Sequence, residues 1–177
     1  GGGEPAPAPH GNTGVEQAVW SMVTDKTAQE VVDTVTAASK TSKPLRVIAM
    51  DSYWTNAQRY AAIFVENTGV HFKRWIWAFD QTPAQIAAAT DQSKSPPFRL
   101  IHLGPNQKPV GLPYNYDFVA IENSGADAQW HWWHPSVTLD GVQTLIDQHQ
   151  DHKARIFQLA GTKNPTTDAA PYSVILV

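Results

Sequence analysis

Residues 60–70 read YAAIFVENTGV, and residues 116–126 read YDFVAIENSGA. The apolar half returns once more as YSVILV over residues 172–177. The tyrosines that open these runs lie at equal intervals, 116 − 60 = 56 and 172 − 116 = 56. The same step, without a gap, carries Trp77 onto Trp133, Thr82 onto Thr138, Ile86 onto Val142 and Arg99 onto Arg155. Self-similarity at such a period means that one supersecondary unit is being reused.

A further copy lies upstream. A step of 67 − 12 = 55 sets Asn12-Thr13-Gly14-Val15 under Asn67-Thr68-Gly69-Val70, with Trp20 under Trp75, Asp25 under Asp80, Thr27 under Thr82 and Val31 under Ile86. Two extra residues after the first helix bring Arg46 under Arg99. This copy starts inside the turn, and Val177 aligns with Val65, just before the same turn. The expectation is therefore a single α+β domain of three ββαβ-type repeats in a closed pseudo-threefold antiparallel arrangement. The C-terminal strand completes the first repeat, with residues 172–177 antiparallel to roughly residues 16–23. Closure of that kind removes exposed strand edges. The copies are then residues 11–59 plus 172–177, 60–115 and 116–171, and residues 1–10 read as a flexible linker or cloning scar.

Within each copy the pattern predicts strand, turn, strand, helix, strand. β-branched and aromatic residues fill the strands, and Gly69 and Gly125 supply positive φ in the turns. Thr27, Thr82 and Thr138 are expected N-caps, with Pro83 at the first helical position. That gives nine strands and three helices.

Composition narrows the function. The chain has 177 residues, enough for one full core. A net charge of −3 without a basic run argues against nucleic acid and anionic membrane surfaces. No stretch approaches the roughly 20 apolar residues of a membrane helix. Zero cysteines exclude disulfides and thiolate metal sites. The Pro/Ala-rich start suits a secreted, extracellular module.

Arg59-Tyr60-Ala61-Ala62-Ile63, Asn67-Thr68-Gly69, Thr82 and Phe98-Arg99 together resemble a bacterial tandem repeat domain. That repeat is found N-terminal to β-lactamase-like serine hydrolases, as in polyglycine hydrolases. The match is best in the second copy and covers most of the chain after residue 11. The resemblance implies a non-catalytic scaffold or recognition module, since the catalytic serine and lysine of such proteins lie in the hydrolase domain. This chain carries no Ser-x-x-Lys and lacks the family's Gly-Tyr-Arg entry to the third strand.

Tyr60, Tyr116 and Tyr172, and Arg46, Arg99 and Arg155, recur in every copy and are read as structural. The rings pack in the core, and the guanidinium forks tie carboxylates or carbonyls; an axial anion site is the functional alternative for the arginines. Strand alternation puts Trp75, Trp77 and Phe79 on one face, matched by Trp20 and Met22 in the first copy and by His131 and Trp133 in the third. That face is expected to be core. Trp130, Trp132 and His134 share the other face, where Arg74 and Ile76, or Val19 and Ser21, stand in the other copies. Surplus aromatics beside polar side chains suit a saccharide, whose C–H face stacks on an indole. The alternative is that they cover a helix. Tyr53, Trp54 and Asn56, in the loop DSYWTNAQR, form a second candidate site.

No metal or cofactor site is expected. His131 and His134 fall on opposite strand faces, and His149 and His152 read as a solvated helix end. No catalytic motif is visible. The reading is a secreted, non-enzymatic recognition module for carbohydrate, or alternatively a protein- or peptide-binding or inhibitory module associated with a hydrolase.

Overall fold

The structure is a computed structural model that describes residues 18–107, 114–162 and 169–177. Among these lie nine strands and three α-helices. The strands are β1 (Trp20–Lys26), β2 (Leu45–Trp54), β3 (Gln58–Glu66), β4 (Trp75–Gln81), β5 (Phe98–Pro105), β6 (Tyr116–Glu122), β7 (Trp132–Val137), β8 (Ile156–Gly161) and β9 (Tyr172–Leu176). The helices are α1 (Ala28–Ala38), α2 (Pro83–Ala89) and α3 (Leu139–His149).

The expected capping chemistry starts each helix. Thr27 Oγ1 accepts from Glu30 N at 3.2 Å while the Glu30 carboxylate accepts from Thr27 N at 2.8 Å. Thr82 and Gln85 repeat this capping box. Thr138 accepts from Gly141 N at 2.9 Å, and with Gly there no reciprocal arm exists. Each cap is preceded by a register shift that swings the chain off the sheet, between Val23 and Lys26, Ala78 and Gln81, and His134 and Val137. Asp25 and Asp80 sit in these bulges at φ 55° and 54°. Asp tolerates the left-handed region better than most residues.

The recurring turn is held by its asparagine. Gly69 and Gly125 take φ of 52° and 59°. Asn67 then grips Lys73 from both sides, accepting from its N–H at 2.8 Å and donating to its carbonyl at 3.0 Å. Asn123 grips Gln129 in the same way, at 2.9 and 3.2 Å.

The sheets correct the expected connectivity. Three separate three-stranded antiparallel sheets form, in the orders β1-β3-β2, β4-β6-β5 and β7-β9-β8, and none closes on itself. The C-terminal strand β9 pairs with β7 and β8, and β1 pairs with β3. Each Tyr-initiated run is thus the last and central strand of its own sheet, not the opening strand of the next. A run buried on both faces belongs at the centre of a sheet, which explains its unbroken apolar character.

The units stack head to tail. Unit 1 packs Val31, Val47, Met50, Tyr60, Ala62 and Phe64 between its sheet and α1, and Trp75, Trp77 and Phe79 of unit 2 lie against that cluster. Unit 2 builds the same cluster from Ile86, Leu100, Leu103, Tyr116, Phe118 and Ala120, against which Trp133 and Ile175 of unit 3 pack. Seams between units also carry polar bonds. Ser52 Oγ accepts from Gln107 N at 2.7 Å, Ser173 Oγ donates to Leu103 O at 2.9 Å, and Gln158 Oε1 accepts from Leu103 N at 2.7 Å. Trp20, expected in the core with Trp75, is instead 66 % exposed. Among the described residues no other unit lies under the first strand of unit 1, whereas Trp75 packs on the unit 1 core.

Candidate functional site

Among the described residues the most exposed large apolar side chain is Trp130, at 85 %. It directly follows Gln129, whose backbone Asn123 holds from both sides. The indole therefore projects from an anchored point just ahead of β7. A cleft of about 670 Å³ opens on it, lined also by Gln129, Trp132, His152, Lys153, Arg155 and Val177. A second cleft, of about 440 Å³, shares Gln129, Trp130 and Trp132 and adds Gln92, Asn123 and His131. The two clefts share the same pair of indoles.

Trp132 is half-buried against the unit 3 core. Its ring is braced by His149, with centroids 4.5 Å apart, and by His152 at 5.4 Å. His134 lies behind, 6.3 Å from His149. Burial, and then the charge of His149, hold the His134 pKa below the ordinary imidazole value. His131 is lowered as well, by burial first and by Arg99 second. Both rings are neutral at physiological pH. The expected solvated helix end is corrected in one respect: His149 is half-buried, and both it and His152 lie on Trp132. Packing of a helix end back onto a ring of the preceding strand leaves no mark in local sequence.

The cleft's basic wall comes from Lys153 and Arg155. Lys153 ends the turn after α3 in the left-handed region, at φ 56° and ψ 23°. Glycine is the usual choice there. Arg155 opens the approach to β8 and exchanges backbone hydrogen bonds with Val177 at 2.8 and 3.0 Å. Neither cation makes an ion pair among the described residues.

The other predicted residues lie apart from this site. Tyr53, Trp54 and Asn56 belong to the β2–β3 hairpin, and none lines either cleft. Arg46 and Arg99 sit at equivalent register positions opposite Val65 and Ile121, Arg99 being buried, and of the three repeat arginines Arg155 lines the cleft. The Tyr60 hydroxyl accepts from Asn106 Nδ2 at 2.9 Å, the Tyr116 hydroxyl bonds Ser136 Oγ at 2.8 Å, and Tyr172 packs on the unit 3 core. Gln129, His152 and Lys153 were missed by sequence reasoning. A left-handed lysine is a feature of backbone geometry that its neighbours do not announce.

Among the described residues no group of three or more His, Asp or Glu side chains is arranged to hold a metal ion. No helix there is long and apolar enough to cross a membrane. No protein family, curated protein or solved structure matches this chain.

Proposed function

We propose that this protein is a non-enzymatic recognition module that binds carbohydrate at the Trp130 clefts. The observation that carries the reading is the anchored, almost fully exposed indole of Trp130, flanked by amide, imidazole and cationic groups. A flat apolar face ringed by hydrogen-bonding side chains matches a sugar, which offers a C–H face and a rim of hydroxyls. The resemblance to repeat domains beside serine hydrolases fits the same role, with the module presenting a secreted hydrolase to its glycan-bearing target. A glycan-array screen with labelled protein tests this, run beside a Trp130→Ala variant. Selective binding that disappears in the variant supports the reading; a blank array from folded protein refutes it.

A second reading, docking of a protein or peptide, draws on a different surface. Val19, Trp20 and Met22 leave an exposed apolar strip along the edge strand β1. Such strips mark interaction surfaces. Cross-linked pull-downs that lose their partner in a Trp20→Ser variant, with glycan binding absent, would favour it.

A further inference from the structure

The register of the sheets makes Met22, Trp77 and Trp133 equivalent positions. Met22 pairs with Ile63, Trp77 with Val119 and Trp133 with Ile175, and the three partners lie 56 residues apart, 119 − 63 = 56 and 175 − 119 = 56. At the seam between units 1 and 2, Trp77 fills the space over the unit 1 core, joined by Phe79. At the seam between units 2 and 3, Trp133 does the same. On unit 1 the corresponding side chain is only a methionine, 57 % exposed.

The third seam is correspondingly unfilled. β2 packs on β5 and β5 on β8, but no element of unit 1 packs on unit 3 to that extent. Between them lies a cleft of about 400 Å³, bounded on the unit 1 side by Met22, Ala49, Ala61 and Ile63 and on the unit 3 side by Ala160 and Gly161. Most of the lining is apolar and, apart from Met22, Met50 and Ile63, small, with Asp51 of unit 1, His102 of unit 2 and Gln158 of unit 3 as its polar groups. At about 30 Å³ per water, the volume holds about 13 water molecules, room for an indole with space to spare.

From this we infer that the seam between units 1 and 3 is a binding site for a small planar aromatic molecule of indole size, occupying the position that Trp77 and Trp133 hold at the other two seams. At the two filled seams the position equivalent to Met22 carries an indole, and Met22 itself lines this cleft. A free molecule rather than a protein side chain is the occupant, because residues of all three units line the cleft and its volume falls at the lower end of small-ligand sites. The site is separate from the Trp130 clefts and does not depend on their reading.

The chain has two methionines, and both Met22 and Met50 line this cleft. Methyl-¹³C-methionine NMR therefore reports on it without further labelling. Titration with indole is expected to shift the Met22 methyl signal saturably. Indole contacts in the complex should include the Ala160 methyl by intermolecular nuclear Overhauser effects. Met22→Trp supplies from the chain the group found at the equivalent positions; it should raise the melting temperature and weaken indole binding by at least about tenfold. Ala160→Leu fills the cleft from the opposite wall and should weaken binding similarly, with Met22 still available as reporter. The inference is overturned if Met22 shows no saturable shift up to the solubility of indole. It also fails if both folded variants bind indole as the parent chain does.

Discussion

Replacing Asp117 by Asn would separate two buried titrations that oppose each other. Asp117 is buried, and its Oδ1 accepts from Asn106 Nδ2 at 2.6 Å and from Asp80 N at 2.9 Å. Burial pushes its pKa from 3.8 up to about 6 in spite of those bonds. Between these values the folded chain holds a proton that the unfolded chain has lost. Asp117 therefore favours folding at low pH, and that contribution is lost as pH rises through the window, about 3 kcal/mol at about 1.4 kcal/mol per pH unit. His102 runs the other way. Its Nδ1 accepts from Gln158 Nε2 at 2.9 Å, an orientation set because Gln158 Oε1 is taken by Leu103 N. Burial depresses its pKa from 6.5 to about 4. Stability from neutral His102 is complete above the unfolded value and is lost as pH falls towards about 4, about 3.5 kcal/mol in all. From about pH 6 down to about pH 4 the two contributions nearly cancel. Asn at position 117 keeps an Oδ1 for both donors but cannot titrate. The Asp117→Asn variant is expected to match or exceed the parent chain at neutral pH, then lose about 3 kcal/mol relative to it on acidification. Urea unfolding across that range, with the slope checked for constancy, measures the difference directly. Parallel profiles for parent and variant would refute the reasoning.

Trp130→Ala should leave the fold intact: with 85 % of the residue exposed, only about 40 Å² of a roughly 250 Å² side chain is buried, less than about 1 kcal/mol. If a sugar stacks on about 100 Å² of that indole, the same change weakens binding by about 2–3 kcal/mol, roughly 30- to 160-fold, in calorimetric titration. Trp132→Ala removes packing on the unit 3 core and should cost about 2–4 kcal/mol in chemical denaturation. Asn67→Ala and Asn123→Ala each delete a paired grip on the backbone and should lower stability by about 1–3 kcal/mol, but only the Asn123 change, which frees Gln129 beside Trp130, should also weaken glycan binding. Gly69→Ala meets open space, so its expected loss of about 1 kcal/mol is backbone strain alone, and a Gly69→Asn variant should recover part of it in thermal melts.

Local chemistry was legible wherever short-range physics decides it. Thr27, Thr82 and Thr138 cap their helices, and Gly69 and Gly125 take the positive φ that their turns need. The repeat correctly implied three similar units with nine strands and three helices. Strand pairing was misassigned because a period states which residues are equivalent, not where one unit ends. The run from Tyr60 pairs with what precedes it, and cutting the chain before that tyrosine left β9 an orphan in search of β1. Trp20 was misplaced for a related reason. Its equivalence to Trp75 is real, but burial of Trp75 is conferred by the unit 1 core, and among the described residues Trp20 packs on no such neighbour. At the site, Trp130 and Trp132 stood out because one copy broke the repeat, whereas Lys153 gave no such contrast.

The central position of β3, β6 and β9 has a consequence for synthesis. The two outer strands of each sheet pair with the third and not with each other, so nothing is available to zip until the last strand of the unit leaves the ribosome. Folding during translation must then advance in discrete steps, each released by a tyrosine-led segment emerging from the exit tunnel. A ribosome stalled ahead of Tyr60 or Tyr116 would display two unpaired strands with open edges, the form most prone to aggregation. Slow codons are best tolerated just after these segments, and chaperone contacts should be densest just before them.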